Sequence, residues 1–297
     1  MSELLTSLKS SDCEIEKQFP MNRYITLKVG GIAEAVVYPT NLSEFINILN
    51  TVYESGNNFL ILGAGSNTII QDSGYKGVVI STKKLRNFTI SGNFVYAECG
   101  AMLSTIMKNT VKEDLTGFEF AAGIPGTVGG GIFMNAGANN GEIKDVVQEV
   151  TIWNKGSVQK LGLDQLSFEY RKCHLPQGSI ITNAVFRLAK GNQEKSEKNI
   201  KDYLDYRNIT QPVNMANTGS IFKNPENIAA GKLLEELGLK GEDIGGARFS
   251  ELHANFIVNG GNALASDVIK LIKKAQKMAL EQRGITLETE VRIIKKQ

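Results

Sequence analysis

The chain has 297 residues, with 33 Lys+Arg against 31 Asp+Glu and a formal net charge of +2. At 42% hydrophobic and 22% charged residues it has the composition of a soluble globular protein, and its length suits two domains or three small ones. Near-neutrality without a dense Lys/Arg block excludes a nucleic-acid binder working through a basic face. Two His and three widely spaced Cys (Cys13, Cys99, Cys173), with no C-x-x-C, exclude zinc-finger and iron–sulfur frameworks, and no metal site is expected. The odd cysteine count fits free thiols in a reducing compartment.

Residues 1–20 carry Glu and Lys among their apolar residues and lack a secretory apolar core. Residues 120–141 are uncharged but hold too many Gly, Asn and Pro for a spanning helix, so a cytoplasmic protein is expected. In chain order, Ala33 to Tyr38 reads as a strand. Asn41-Leu-Ser-Glu44 is a capping box, followed by a helical stripe over Leu42, Phe45, Ile46, Leu49, Val52 and Tyr53 that Gly56 stops. Phe59 to Leu62 reads as a buried strand, completing a β-α-β unit, and Val78 to Ile80 as another. Phe88 to Glu98 reads as a hairpin turning at Ser91-Gly-Asn93, and Met102 to Lys112 as a helix. Val147 to Trp153, a Lys155-Gly156 turn, Val158 to Leu161 and Ile180 to Leu188 form a strand-rich middle. The polar Lys190 to Lys198 stretch marks a boundary before a helix ending near Tyr206. After Gln211-Pro212 the pattern is α+β. Ala230 to Leu237 is helical and Ala254 to Val258 extended; a long amphipathic helix is capped by Ser266, and a last strand runs from Leu287 to Ile294.

Glycine makes up about one residue in ten (30 of 297), against a typical ~7%, and two segments concentrate it. Gly63-Ala64-Gly65-Ser66-Asn67 directly follows a strand, but the third glycine of a dinucleotide G-x-G-x-x-G falls on Thr68, opening a β-branched run unsuited to a helix. What remains is either a structural turn or a turn whose N–H groups cradle a phosphate. The second segment is Gly123-Ile124-Pro125-Gly126-Thr-Val-Gly129-Gly130-Gly131, followed by Asn135-Ala-Gly137. Such a stretch lets a ligand approach the main chain and suits an anionic cofactor bound by amides rather than by lysine. The plain alternative is a flexible loop, against which the interleaved Ile124, Val128, Ile132, Phe133 and Met134, expected to be buried, argue. Gly231-Lys232 is followed by Leu, so no P-loop exists.

These segments belong to an ordered series. It includes Lys28-Val-Gly-Gly31, 63–67, 117–126, Met134-Asn-Ala-Gly137, Tyr170-Arg171, Gly219-Ser-Ile-Phe-Lys-Asn-Pro225, Gly245-Gly-Ala247, His253 to Asn259 and Glu288-Thr-Glu-Val291. In this series, which spans nearly the whole chain, the sequence resembles the UDP-N-acetylenolpyruvoylglucosamine reductase (MurB) family. The short passage from Tyr170-Arg171 to the last domain, without a tyrosine-bearing insertion, is similar to the shorter, second type of that enzyme. The resemblance implies a PCMH-type FAD-binding fold of two α/β subdomains followed by a C-terminal α+β substrate domain. The corresponding boundaries are 1–83 for the first FAD-binding subdomain, joined by the strand 289–297, then 84–197 for the second and 198–288 for the substrate domain.

The chemistry so implied is NADPH-dependent reduction of UDP-N-acetylglucosamine enolpyruvate to UDP-N-acetylmuramate in peptidoglycan precursor synthesis. Hydride passes by way of non-covalent FAD to the terminal vinyl carbon, leaving enolate-like charge on the carboxylate, and the neighbouring carbon is then protonated. This chemistry needs a clamp for developing charge and a placed proton donor. By resemblance, Arg171 and Glu290 form the clamp and Ser220 is the donor. An arginine fork suits a carboxylate, and a glutamate helps there only if protonated or oriented by a neighbour, which implies a raised pKa. Tyr170, Lys223 and Asn224 are implied substrate contacts, and Gly63, Ala64, Gly65, Ser66, Asn67, Gly123, Ile124, Pro125, Gly126, Gly129 and Gly130 cofactor contacts. Read singly, Arg171 is an ordinary surface residue, Ser220 part of a turn, Glu290 a solvated strand residue and Lys223-Asn224 a polar turn; only the joint match makes them a site.

The chain departs from the family pattern at several places. Cys173 stands two places after the arginine where Ser is common, and Ala64 where Asn is frequent. The Pro-Ser usual before Gly219 is missing, and Thr210 replaces a Lys that often precedes Gln-Pro, which puts one basic contact in doubt. His253 precedes an apolar strand and suits packing or capping; neither it nor His174 lies in the glycine segments, which argues against a histidyl-linked flavin. The competing readings are an oxidase of the same FAD-domain superfamily, which would consume oxygen without NADPH, and a degenerate binding module. Retention of Arg171, Ser220 and Glu290 speaks against the latter. No nucleic-acid, membrane or obligate protein partner is inferred.

Overall fold

The computed structural model describes residues 2–9 and 13–295; residues 1, 10–12, 296 and 297, parts of the segments 1–20 and 289–297 discussed above, lie outside the described residues. Two compact units are assembled from non-contiguous segments. One comprises Met1–Lys17, Ala35–Ala64 and Gly77–Asp205, the other Gln18–Glu34, Gly65–Lys76 and Tyr206–Gln297. The segments 18–34 and 65–76 therefore group with the C-terminal part of the chain, whereas the resemblance implies a unit of 1–83 with 289–297, then 84–197 and 198–288.

In the first unit the helix Leu42–Glu54 forms as its pattern demands. Asn41 Oδ1 accepts from the Glu44 N–H at 2.9 Å, while Glu44 Oε2 reaches back to the Thr40 N–H (2.6 Å) and Oγ1 rather than to Asn41, so the expected reciprocal box is shifted by one residue. Its buried face is Phe45, Ile48, Leu49 and Val52, and Tyr53 stays half-exposed. The strands it joins, Ile32–Tyr38 and Phe59–Leu62, are not neighbours: Tyr75–Ser81 lies between them, parallel to Phe59–Leu62, in a sheet whose outer strand is Glu14–Pro20. That central strand carries Val78, Val79 and Ile80 fully buried, as a strand covered on both faces must.

A second, antiparallel sheet runs in the order Ser157–Gly162, Val147–Asn154, Ile180–Arg187, Phe94–Glu98, Phe88–Ser91. Its hairpins turn at Gly92-Asn93 and Lys155-Gly156, where Gly92, Lys155 and Gly156 take the left-handed conformation. Trp153 fixes the Leu42–Glu54 helix on this sheet. Its Nε1 donates to Asn50 Oδ1 at 2.7 Å, and its ring meets Tyr53 and Phe59 edge-on at 5.6 and 6.5 Å. A polar knot holds the far end: the buried Glu119 carboxylate accepts from Thr116 Oγ1, the Gly117 N–H and Ser196 Oγ. Burial alone would raise its pKa, but these hydrogen bonds outweigh that and keep it below the ordinary carboxylate value.

Ser196 lies in the helix Gln193–Thr210, which begins inside the stretch expected to be a boundary and runs past Tyr206. The polar residues there are its first turns. Asn192 Oδ1 accepts from the Lys195 N–H and Asp114 Oδ1 from the Gln193 N–H, and Pro212 stops the helix shortly after Thr210.

The second unit has an antiparallel sheet ordered Asn217–Ser220, Phe256–Asn259, Ala247–Phe249, Asp243–Ile244. The helix Ala265–Arg283 buries Val268, Leu271, Ile272, Ala275 and Ala279 against it. Its cap is not Ser266, which lies within the first turn. Asp72 accepts from the Ala265 and Ser266 N–H groups at 2.8 and 2.9 Å, and Asp267 Oδ2 from the Leu264 N–H. Gly284, left-handed, closes the other end. The last strand is shorter than expected, Arg292–Ile294, and pairs in parallel with Thr68–Ile70.

Candidate active site

In the second unit, Ser220 ends a strand whose register against Phe256–Asn259 shifts between Asn217 and Ser220. The bulge forms because Gly219 takes φ 74° and donates its N–H to Asn217 Oδ1 (2.9 Å), while Asn217 Nδ2 holds the Pro212 and Met215 carbonyls. Bulges of this kind re-aim the side chain that follows. Asn255, buried, then clamps the next residues. Its Oδ1 accepts from the Phe222 N–H (2.9 Å), its Nδ2 donates to the Phe222 carbonyl (2.8 Å), and its own carbonyl accepts from the Ile221 N–H.

Along the other side of Ile221–Lys223 runs the segment 288–291. Glu290 N–H donates to the Ile221 carbonyl at 2.8 Å and Lys223 N–H to the Glu288 carbonyl at 2.9 Å, with Phe222 opposite Thr289. This antiparallel contact sets Glu290 opposite Ile221, the residue that follows Ser220, although 69 positions separate the two in sequence. Asn67 secures it: its Nδ2 donates to the Glu290 carbonyl (3.1 Å), and its carbonyl accepts from the Arg292 N–H (3.0 Å). Asn67, expected as a cofactor contact, thus has a second task at Glu290. Lys223 Nζ lies 3.0 Å from Glu288 Oε2, and Asn224 Oδ1 accepts from the Ala230 N–H at the start of the helix Ala230–Glu236.

Arg171 belongs to the first unit. It is the second central residue of the tight turn between the strands Ser167–Glu169 and Lys172–His174, and it takes φ 58°, uncommon for a residue with a Cβ. Its guanidinium lies over the exposed Tyr170 ring, 4.9 Å from the centroid, and Nη2 donates to the Gly137 carbonyl at 2.9 Å. Gly137 lies in a small ribbon, Gly137–Ala138 with Gly141–Glu142, whose two turn residues Asn139 and Asn140 are both left-handed. Cys173 is buried behind this turn.

The first unit also joins parts of the two glycine segments. A Cβ on Gly63 would lie 2.3 Å from Thr127 Oγ1, so only glycine allows that approach. Gly129 and Gly130 behave differently from the expectation of exposed donors. The chain there coils into the short helix Val128–Phe133; the Gly129 N–H donates to the Cys99 carbonyl (2.8 Å) and the Gly130 N–H to Thr127 Oγ1. Close packing explains the glycines, since a Cβ at Gly129 would touch Cys99 at 3.1 Å and one at Gly131 would meet Leu103 at 3.0 Å. Val128 and Ile132 are buried as expected, but Phe133 is exposed. Among the described residues, no acceptor takes the N–H of Gly123, Gly126 or Thr127. An uncharged set of unpaired amides beside a glycine with no room for a side chain fits the diphosphate of FAD. In the second unit Gly65, at φ 72°, is packed so closely on Tyr24 that a Cβ would lie 3.1 Å from its ring, and the N–H groups of Gly65 and Ser66 likewise meet no acceptor among the described residues.

His253 packs on Phe256 (4.9 Å between centroids) and its Nδ1 accepts from the Asn255 N–H at 3.2 Å. Burial lowers its pKa, which suits that acceptor role. Asn255, which clamps Phe222, is a residue that the sequence alone does not single out; its position within the motif His253 to Asn259 is the available signal.

Residues 33–162 match the FAD binding domain family, and residues 211–294 match the C-terminal domain family of UDP-N-acetylenolpyruvoylglucosamine reductase. A UDP-N-acetylenolpyruvoylglucosamine reductase of Caldicellulosiruptor bescii is 42% identical over 97% of this chain and 93% of its own length. Its namesake in Clostridioides difficile is 40% identical over 98% and 96%. The crystal structure of the MurB reductase from Thermus caldophilus superposes with a TM-score of 0.82 at 31% identity, covering 95% of this chain and 98% of that one. With a FAD-binding α/β part followed by an α+β C-terminal domain, the chain belongs to the UDP-N-acetylenolpyruvoylglucosamine reductase family.

Proposed function

We propose that this chain reduces UDP-N-acetylglucosamine enolpyruvate to UDP-N-acetylmuramate for peptidoglycan precursor synthesis, with non-covalent FAD and with NADPH as hydride donor. The observation that carries it is the antiparallel contact of 288–291 with Ile221–Lys223, which sets Glu290 opposite Ile221, the residue that follows Ser220. Bound FAD supplies the relay of hydride from NADPH to the enolpyruvyl double bond. Gly63, Ala64, Gly123, Ile124, Pro125, Gly126, Gly65, Ser66 and Asn67 hold it chiefly through backbone donors, with Gly129 and Gly130 shaping the helix beneath. Ser220 gives a proton to the carbon next to the substrate carboxylate. Arg171 neutralises the charge that develops on that carboxylate; a guanidinium stays charged throughout and needs no proton transfer of its own. Glu290, held through its N–H by Ile221 and through its carbonyl by Asn67, is oriented for the same task. Tyr170, Lys223 and Asn224 contact the substrate, the lysine suiting its diphosphate, and the region 198–288 is the substrate domain. No helix among the described residues is long and apolar enough to cross a membrane. A cytoplasmic site of action, where the free thiols of Cys13, Cys99 and Cys173 would stay reduced, is part of this proposal.

Ser220→Ala tests the assignment. The variant should hold FAD, and NADPH should bleach the flavin band at a near-normal rate. Return of the band on anaerobic mixing with the enolpyruvyl substrate should slow 10²–10⁴-fold, the usual effect of losing a general acid. Slowing confined to the NADPH step, or normal return with substrate, means that Ser220 is not the proton donor.

A further inference from the structure

The turn that carries Arg171 is fastened by a side chain with no role assigned above. Asn135 is fully buried and left-handed at φ 40°, and its amide spends both ends. Nδ2 donates to the Glu169 carbonyl (3.1 Å) and to Glu142 Oε2 (2.9 Å), and Oδ1 accepts from the Lys144 N–H (3.0 Å). Glu169 is the last residue before the Tyr170–Arg171 turn, and Glu142 pairs with Gly137, whose carbonyl takes the Arg171 guanidinium. One amide thus ties down the backbone on which Arg171 stands and the ribbon on which its head rests. Arg171 needs such a support, because a non-glycine residue at φ 58° is strained and persists only where its surroundings over-determine it.

The geometry points to Asn135 as the positioning residue that holds Arg171 for the substrate carboxylate, an inference that rests on the reading of Arg171 as the carboxylate clamp. A guanidinium reads a carboxylate through paired, directional hydrogen bonds, so a turn that relaxes loses the carboxylate while the rest of the substrate site is untouched. Asn135→Asp keeps the shape but sets an oxygen against the Glu142 carboxylate and the Glu169 carbonyl. Asn135→Ser is too short to span both.

The discriminating measurement is calorimetric binding of two nucleotides to the FAD-loaded variants: UDP-N-acetylmuramate, which carries the carboxylate, and UDP-N-acetylglucosamine, which does not. Both variants should retain FAD, bind UDP-N-acetylglucosamine within twofold of the parent, and bind UDP-N-acetylmuramate at least tenfold more weakly, as Arg171→Ala should. Equal weakening of both nucleotides, unchanged binding of both, or failure of both variants to fold overturns the positioning role and leaves Asn135 a structural residue. An Arg171→Ala variant that still favours UDP-N-acetylmuramate as the parent does overturns the clamp itself, and the inference with it.

Discussion

Cys173 stands where a serine is common in the family, two residues past Arg171, and its surroundings decide what the exchange means. It is buried on the strand that follows the turn, and burial pushes its thiol up to about 11. At pH 8 only about one part in a thousand is thiolate, the form that reacts. The side chain is a small, neutral, weakly hydrogen-bonding group, which is also what serine offers. Cys173→Ser should keep turnover within several-fold, and native protein at pH 8 should resist iodoacetamide at Cys173 until it is unfolded. A hundredfold loss of turnover, about 2.7 kcal/mol of barrier, or rapid native alkylation would give the thiol a function. At this scale the sequence singles out residues proposed to act through their own chemistry, Arg171, Ser220 and Glu290. It was not legible where a residue acts by holding another. Asn135 reaches Glu169, 34 positions on, and Asn255 reaches Phe222, 33 positions back; composition and spacing carry no trace of such distant pairings. Gly129 shows a related limit, since its glycine signals close packing on Cys99 as readily as it signals an exposed amide.

Helix boundaries followed local signals wherever the signal was local. Asn41 caps Leu42–Glu54 from the adjacent position, and of the stripe it opens Phe45, Leu49 and Val52 are buried while Tyr53 stays half-exposed. The helix Ala265–Arg283 shows the opposite case. Ser266 looks like a cap in sequence, but the N–H groups of Ala265 and Ser266 are satisfied by the Asp72 carboxylate, 193 residues away. A carboxylate there also complements the positive end of the helix dipole. Asp72→Ala should therefore lower unfolding free energy by about 1–2 kcal/mol, the range for a lost N-cap, whereas Ser266→Ala should change it by less than ~0.5 kcal/mol. Urea titrations of both variants check this, and an equal or reversed ranking would return the cap to Ser266. The helix Gln193–Thr210 was misplaced for a related reason. Its polar first turns look like a linker, and they become helix because Asn192 and Asp114 take up its first free donors.

For the molecule as a whole, much of the order of strands and helices could be read in advance, though not Glu14–Pro20, Val128–Phe133 or the pair Ser167–Glu169 and Lys172–His174; their assembly could not. The apolar run Val78 to Ile80 reads as a strand without revealing that Tyr75–Ser81 inserts between Ile32–Tyr38 and Phe59–Leu62, and no local feature shows that 18–34 and 65–76 group with the C-terminal segment. Two glycine-rich stretches more than fifty residues apart nevertheless pointed to one kind of ligand, and in the first unit Gly63 does meet Thr127. The donors there are backbone amides in an uncharged segment, so what they can recognise is the anionic diphosphate of FAD rather than its flavin ring. FAD should then stabilise the folded chain by mass action, about 2.7 kcal/mol at a hundredfold excess over its dissociation constant, and riboflavin, which has the ring without the phosphates, should not. Thermal unfolding of flavin-stripped protein with each compound measures the difference. Gly63→Ala should abolish most of the FAD effect, since its Cβ would displace Thr127 and with it the Gly126–Thr127 amides. No histidine lies in either glycine stretch, so acid precipitation of the holoprotein should leave the flavin in the supernatant. Flavin retained in the pellet would establish a covalent link, and equal stabilisation by riboflavin would move recognition from the amides to the ring.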